Sequence, residues 1–448
     1  MKTFYGISWG LIFLAGCSGS TPTKEAESVS GSSGPIVAVG KTTPLSQDVA
    51  DLVTAASTAE TESRFAEAAS MRREIRQQLA AQYGPVHWLV ANCDLAIAAD
   101  DRLAKLSPDE LALVAELREL EQQSVRLTQS GTTRRALACI NKARPIAARV
   151  FGTDAVLPLR LQIMAGQMSQ QLGQWELAKQ EFEQAAAQAQ KMFSMPHPDL
   201  ENALYQCGLV ERQLGALDRS IDLLIKAQKM SEQLGGRDAT FAARTHELAV
   251  TLHRAGKQDD ALRELAVAER IRRTELGDQH PLVAESLVNQ AVVLMDQKKW
   301  PAAREKLLAA ETICAASSSA EKLRQDVRLH LATIGVVQQD FAEAARQLQT
   351  ALKAIEAQSG RWSPQYAHVA YRLAMSLSFQ SDFQQAEPLF RHALSVQRNL
   401  LGPSHDQTHK TLQALAKLLE RTERVAEAKS LLLEFAYTVS EGSGEASQ

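Results

Sequence analysis

Apolar residues recur along most of this chain three or four positions apart, with polar residues between them. The stretch 261–303 shows the pattern. Leu262 and Leu265 share one side of a first predicted helix, and Leu287 and Ala291 share one side of a second. A short connector containing Gly, His and Pro separates the two. Neither helix can bury its apolar side alone, so the pattern predicts helices that pack against one another.

The same pattern returns at a nearly constant interval. With Ala261 as an anchor, a small residue recurs every 41 or 42 positions, at Ala136, Ala178, Ser220, Ala303, Ala344, Ala386 and Ala428. The residue twelve before each anchor is always small, and the residue four after it is always large and apolar. Small side chains opposite large ones allow helices to approach closely. A period of this length predicts a solenoid of helical hairpins.

These columns resemble the tetratricopeptide repeat, in the 42-residue form of kinesin light chains and of many large bacterial repeat proteins. The resemblance rests on small, bulky, anchor and large positions such as Ala291, Trp300, Ala303 and Leu307, and on the connector LGDQHPLVA at 276–284. It implies an all-α, right-handed α-solenoid of about eight to nine hairpins. It also implies that the first helix of each pair lines a concave groove.

The N-terminus has a different composition. Residues 1–16 carry Lys2 as their only charge and an apolar run, which predicts a secretory signal peptide. The sequence LAGC ending at Cys17 resembles a bacterial lipobox, which implies that Cys17 carries a lipid; an ordinary signal peptide with an incidental cysteine is the alternative. Ser18 after the cysteine implies the outer membrane by analogy. We therefore expect a lipid-anchored protein of the bacterial cell envelope.

The remaining boundaries follow from composition and from the repeat. Phe65 and Ala68 echo the bulky and anchor positions, whereas Arg72 stands where the large apolar residue belongs. This degenerate pair, together with one extra predicted helix, is expected to cap the array. The predicted segments are a flexible Ser/Gly/Thr/Pro tether at 17–44, the helical cap at 45–107, the solenoid at 108–438 and a disordered tail at 439–448.

The turn inside each helix pair changes along the chain. Gly173, Gly215 and Gly256 occupy it in the earlier repeats, where glycine readily adopts a positive φ. Later repeats replace the glycine, and we expect their turns to be less constrained; the replacing residues are Lys298, Gln339, Ser381 and Glu423.

Charge and motifs argue against most other classes of function. The chain has 49 basic and 52 acidic residues, so its net charge of −3 gives no reason to expect nucleic-acid binding. It contains no phosphate-binding loop, nucleophile elbow or dinucleotide fingerprint. The cysteines after Cys17 are not spaced as metal or redox motifs and are expected to be buried; they are Cys93, Cys139, Cys207 and Cys314.

His405 and His409 are the one candidate metal pair. Two histidines four apart on a helix share one face. This pair, however, spans a predicted connector and lacks the glutamate of a metalloprotease motif. We expect the histidines to serve as a polar cap or packing residues, and we expect no enzyme, no cofactor and no bound metal.

A varied polar stripe follows the first helix of each pair. Positions eighteen, fourteen and seven before each anchor share one helical face, and the stripe is most acidic at its centre. By the resemblance, Asn289 stands where light-chain repeats carry an asparagine that holds a peptide backbone. A solvated face without ligand is the alternative for any single position. The residues that we expect to contact a partner are Gln206, Glu247, Arg254, Glu285, Asn289, Asp296, Asp326, His330 and Arg372.

The expected function is therefore that of a lipid-anchored scaffold that binds a partner protein or peptide in its groove. The main alternative is a structural array that acts through its convex face or by self-association. A metal-dependent enzyme is a more distant alternative. No small-molecule substrate is evident from the sequence.

Overall fold

A computed structural model describes residues 46–444, with side chains described up to residue 435. The predicted signal peptide, Cys17 and the tether lie outside this range. All regular elements within the range are helices, which confirms the predicted all-α repeat fold: nineteen α-helices and one short 3₁₀-helix. None of the described helices combines the length and apolarity needed to cross a bilayer.

The chain divides into two compact units, Met1–Gly277 and Asp278–Gln448. The described part of the first unit contains α1 Gln47–Thr61, α2 Phe65–Tyr83, α3 Trp88–Leu103, α4 Pro108–Gln129, α5 Thr133–Phe151, α6 Val156–Gln171, α7 Trp175–Met192, α8 Pro198–Gln213, α9 Leu217–Gly235, α10 Ala239–Arg254 and α11 Gln258–Leu276. The second contains α12 Pro281–Asp296, α13 Trp300–Ala315, α14 Glu321–Val337, α15 Phe341–Ser359, α16 Pro364–Phe379, α17 Phe383–Leu401, α18 Asp406–Arg421 and α19 Val425–Gly444.

The helices pair as the sequence period predicts. Apart from α3, they form nine hairpins within the described range, from α1–α2 to α18–α19. The second helices of the last seven hairpins start 41 or 42 residues apart, at Trp175, Leu217, Gln258, Trp300, Phe341, Phe383 and Val425. The last helix continues through residue 444, into the range predicted as a tail.

The core of each hairpin consists of the predicted columns. The eight anchors are fully buried, and the large residues four positions later are buried from Ile140 to Phe390. Leu432, the last of them, is 38% exposed, because no further described hairpin packs against it. The closest approach is at Gly166, where a Cβ would lie 2.7 Å from Phe182 Cε1. The small residues twelve positions before the anchors therefore leave room for the large residues four positions after them.

One turn conformation is shared by all nine hairpins of the described range. The residue five before each anchor has φ between 60° and 84°, whether or not it is glycine: Ser63, Gly131, Gly173, Gly215, Gly256, Lys298, Gln339, Ser381 and Glu423. The prediction that turns without glycine are less constrained is therefore wrong. Packing of the two helices fixes the turn, and the non-glycine residues adopt a left-handed conformation that is costly for side chains with a Cβ.

Replacing Gln339 by glycine is expected to stabilise the second unit by about 0.5–1 kcal/mol, because relief of left-handed strain exceeds the added entropy of the unfolded chain. Gly215→Ala is the matched control: nothing lies within 4 Å of its Cβ position, so the variant should lose a similar amount through backbone strain alone. Denaturant unfolding of both variants measures this difference. Equal stability of Gln339→Gly and the parent would contradict the strain argument.

The first hairpin departs from the repeat at one buried position. Phe65 and Ala68 are buried as the repeat requires, but Arg72 replaces the large apolar residue. Its guanidinium pairs with Glu60, with Nη2 2.5 Å from Oε2, and with Asp100 of α3. Burial raises the pKa of Asp100 to about 6, while Arg72 opposes this shift. A buried ion triad thus connects α1, α2 and α3.

Candidate functional site

Histidines begin several helices that follow a connector. The Nδ1 atoms of His87, His197, His280 and His405 each accept a hydrogen bond from the backbone N–H two residues later, at 3.1–3.2 Å. The ring of His409 lies edge-on to Phe435 at 6.0 Å. His405 therefore acts as the helix cap that the sequence predicts, and His409 as a packing residue.

In the first unit, the predicted stripe lies on α8 and α10. Glu247 pairs with Arg212 of α8 at 2.8 Å, and Arg254 donates a hydrogen bond to Gln213 at 3.3 Å. Gln206 is half-buried on the same side of α8. The structure thus brings these side chains onto one face of successive first helices. Part of the stripe already joins neighbouring repeats to one another.

Further ion pairs between neighbouring first helices strengthen this connection. Arg244 of α10 bonds Glu201 of α8 at 2.6 Å and lies 3.7 Å above the ring of Tyr205. Arg160 of α6 pairs with Asp199 of α8 at 3.2 Å. Burial raises the pKa of Tyr205 to about 12. The predicted stripe included Arg160 but not Asp199, Glu201, Tyr205 or Arg244, although opposite charges about one repeat apart were a usable signal.

In the second unit, the predicted residues lie on α12, α14 and α16. Glu285 and Asn289 are half-buried on α12, whereas Asp296 is exposed at its end. Asp326 and His330 lie one turn apart on α14. Burial lowers the pKa of His330 and raises that of Asp326. Desolvation disfavours the charged form of each group, while each of the two groups favours the charge of the other.

Arg372 has a different environment from the one predicted. Its Nη2 donates to Thr333 Oγ1 at 2.7 Å and to the carbonyl oxygen of Leu329 at 3.3 Å. Burial lowers its pKa. This guanidinium therefore connects α16 to α14, and its Nη2 donors are already used within the protein.

Apolar side chains are exposed on the same face of the second unit. Val337 of α14 is 47% exposed and Phe379 of α16 is 54% exposed, and both occupy the position seven before an anchor. Phe379 stacks on Phe341 with 4.6 Å between ring centroids, which fixes its orientation. The list of predicted contact residues omitted both because it favoured polar side chains. Their repeated position was the available signal.

Helix α3 covers part of this face in the first unit. Its Arg102 donates to the carbonyl oxygen of Phe151 at 3.2 Å, and its Asn92 contacts His197 Nε2 at 2.9 Å. Leu95 packs against the apolar cluster of α6, α7 and α8. The helix therefore runs past the connectors of successive repeats and over the start of α6.

A thiol and two carboxylates meet in the first unit. Ligand atoms of Glu183, Cys207 and Glu211 lie within 4.8 Å of one another. Lys179 Nζ and Arg219 Nε, however, lie 3.0 Å and 2.9 Å from Glu211 Oε1. Burial raises the pKa of Cys207 to about 11, so its thiol stays protonated. The group is better described as an ion-pair network than as a metal site.

Some of these helical hairpins match models of a known repeat family. Family models described as tetratricopeptide repeat match residues 241–282, 323–399 and 365–434. Residues 241–282 and 323–434 therefore carry tetratricopeptide repeats. The matches include the hairpins of the second unit on which Asp326, His330 and Phe379 lie. Tetratricopeptide repeat arrays present extended surfaces built from successive helices.

Solved structures share the fold. A signal transduction ATPase with a tetratricopeptide repeat sensor from Pyrococcus horikoshii superposes with a TM-score of 0.54 at 11% identity, covering 84% of this chain and 54% of that one. The apo quorum sensor NprR from B. thuringiensis gives 0.52 at 12% identity, covering 85% and 99%. These likenesses are to the helical repeat architecture.

The curated relatives match this chain over only a small part of their own length. A clustered mitochondria protein homolog of Ajellomyces capsulatus is 21% identical over 263 residues, which is 58% of this chain and 18% of that protein. A second homolog, from Coccidioides immitis, is matched over 17% of its length. This chain thus spans less than a fifth of these curated relatives, which are fungal rather than bacterial.

Proposed function

We propose that this chain is a tetratricopeptide repeat scaffold that binds a partner protein or peptide segment on its first helices. The first-helix face of the second unit, defined by Asp326, His330, Val337 and Phe379, is the proposed contact surface. The observation that carries the proposal is the exposure of Val337 and Phe379 at equivalent positions of successive first helices. Exposed apolar groups repeated on one face are typical of a protein interface.

The chemistry around these groups indicates the kind of partner. An aromatic side chain held by stacking provides a rigid anchor, and such anchors contribute much of the free energy of binding at interfaces. Asp326 on the same helix as Val337, together with the exposed Asp296, adds negative charge to this side of the unit. We infer a partner segment with an apolar side chain flanked by basic residues. The acidic groups then favour the correct orientation and rate of association.

The double variant Val337→Ser with Phe379→Ala is expected to weaken capture of the partner by about tenfold or more, corresponding to the loss of an interface anchor of at least 1.4 kcal/mol. Leu308→Ser is the matched control, because Leu308 is 41% exposed but lies on the second helix α13. Both variants are compared as immobilised proteins for retention of copurifying partners. Loss of capture by Leu308→Ser alone would place the binding surface on the second helices.

The charge of the face is tested separately. Asp326→Lys should reduce retention and make the remaining binding less sensitive to salt, since a favourable long-range attraction is removed. Self-association, the alternative function, predicts instead that the same variants change the sedimentation behaviour of the purified chain without a partner.

We further propose that the scaffold is lipid-anchored through Cys17 in a bacterial cell envelope, with the outer membrane favoured. The support is the LAGC sequence and the charge and apolar order of residues 1–16, which lie outside the described residues. Two or more acyl chains would give stable anchoring, because each buried methylene contributes about 0.8 kcal/mol. Labelling with a clickable fatty acid should succeed for the parent chain and fail for Cys17→Ala.

A further inference from the structure

A cavity of about 300 Å³ lies beneath α3 in the first unit. Helix α3 contributes Leu95 and Ala99 to its wall, and α6 contributes Leu161 and Met164. Glu121 of α4 is the carboxylic acid on the inner wall. A cavity of this size with mostly apolar walls and a few polar groups is typical of sites for small ligands.

Glu121 differs from the arginines nearby, whose side chains are engaged in hydrogen bonds or ion pairs. No residue in the described part of the chain makes a hydrogen bond or ion pair with its carboxylate. Burial raises the pKa of Glu121 to about 7; Arg118 opposes this shift and Glu60 adds to it. The half-buried carboxylate is partly removed from water and accepts no hydrogen bond from the protein, so a ligand that supplies a donor is favoured at this site.

The basic side chains around the cavity are already engaged. Arg102 donates to a main-chain carbonyl oxygen at the end of α5 at 3.2 Å. Arg160 pairs with Asp199 at 3.2 Å, and Arg118 donates to the carbonyl oxygen of Glu60 at 3.1 Å. An anionic ligand would therefore find these donors occupied and would meet Glu121 with like charge.

The open side of the cavity is marked by its exposed lining residues, Ala98 of α3 and Asp154 in the connector before α6. A ligand can therefore enter without unfolding of α3. Its apolar body would contact Leu161 and Met164, and its polar end would reach Glu121.

We propose that this cavity binds a small amphiphile with an apolar body and a protonated amine, and that the amine contacts the carboxylate of Glu121. The amine provides both the hydrogen-bond donor and the charge that Glu121 lacks, and such charge-assisted bonds are stronger than neutral ones in a site of low dielectric. The proposal concerns the first unit alone, so it stands independently of partner binding by the second unit.

Three probes of similar size but different head group test this proposal: n-octylamine, n-octanol and octanoate, titrated calorimetrically into the full chain at pH 8. We expect octylamine to bind at least about tenfold more tightly than octanoate. Glu121→Gln should weaken octylamine binding by about tenfold or more and leave octanol binding within about threefold. Ala98→Trp should block the open side and abolish binding of all three.

Glu119→Gln is the matched control, since Glu119 is an exposed glutamate on the same helix outside the cavity, and it should leave every affinity unchanged. Folding of Glu121→Gln, which replaces a half-buried acidic group, is verified by circular dichroism. The proposal is overturned if Glu121→Gln leaves octylamine binding intact, if octanoate is preferred, or if none of the probes binds the parent chain at millimolar concentration.

Discussion

Replacing Arg72 by leucine is expected to destabilise the α1–α3 segment by about 3–5 kcal/mol, although leucine is the residue that the repeat favours there. The substitution leaves Glu60 and Asp100 buried without their shared cation, and their side chains are only 2% and 1% exposed. Hydrogen exchange of α2 and α3 amides measures the effect locally, which suits a repeat array because its segments can unfold separately.

The loss of stability in Arg72→Leu should depend on pH, and the pKa shifts of the two buried carboxyl groups determine in which direction. Burial already raises the pKa of Asp100 and that of Glu60 in the parent chain, while Arg72 opposes both shifts. Without Arg72 both pKa values rise further, so the folded variant binds protons more readily than the unfolded one. Its stability is then retained at low pH and lost as pH rises through the folded pKa values. The difference in stability between Arg72→Leu and the parent chain should therefore be larger at pH 8 than at pH 5.

Two controls separate the loss of the triad from the loss of any arginine. Arg73→Leu removes an exposed pair with Asp101 and should change stability by less than about 0.5 kcal/mol. Adding Glu60→Gln and Asp100→Asn to Arg72→Leu should recover most of the deficit, because no buried charge then remains. If the α2 and α3 amides of Arg72→Leu exchange as slowly as those of the parent chain at pH 8, the ion triad does not stabilise this segment.

Gly166→Ala is expected to destabilise the α6–α7 hairpin by about 1–3 kcal/mol despite the better helix propensity of alanine. The added Cβ would lie 2.7 Å from Phe182 Cε1 and 2.9 Å from Phe182 Cζ, closer than a buried aromatic ring can accept without moving. Phe182 is fully buried, so it has no free space into which to turn. Urea unfolding and exchange of α6 and α7 amides report the loss.

A double-mutant cycle tests the cause. Other repeats place alanine opposite leucine at these two positions, as Ala291 and Leu307 do, both fully buried. Gly166→Ala with Phe182→Leu should therefore be more stable than the sum of the single effects, with a coupling of about 1–2 kcal/mol. Additive effects would mean that the glycine is required for a reason other than the size of Phe182.

The sequence predicted the hairpins well because each one depends on local columns. The small, anchor and large positions repeat every 41 or 42 residues, and the anchors at these positions are fully buried. The turns were predicted less well. Because glycine occupies the turn in only three of the compared repeats, the turns without glycine were expected to be less constrained. Lys298 and Gln339 nevertheless adopt the same positive φ, because the packing of the two helices fixes the backbone of the turn.

Features that depend on contacts between distant segments could not be derived from the period. The sequence predicted the extra helix α3 itself. It did not predict that Asn92 of α3 contacts His197, 105 residues later, or that Asp100 of α3 completes an ion triad with Arg72. The bonds of Arg372 to α14, which the predicted stripe did not include, also depend on a distant segment. The cavity beside Glu121 likewise exists only because α3 lies over α4 and α6.

Site-specific photo-crosslinking tests most directly whether the first-helix face binds the partner. A benzophenone amino acid is placed at Asp326, exposed on α14, or at Arg346, 69% exposed on the second helix α15 of the same hairpin. Irradiation of cells, followed by mass spectrometry, identifies covalent adducts. We expect a protein adduct from position 326 and none from position 346, because the first-helix face contacts the partner. Adducts from position 346 alone would contradict this expectation.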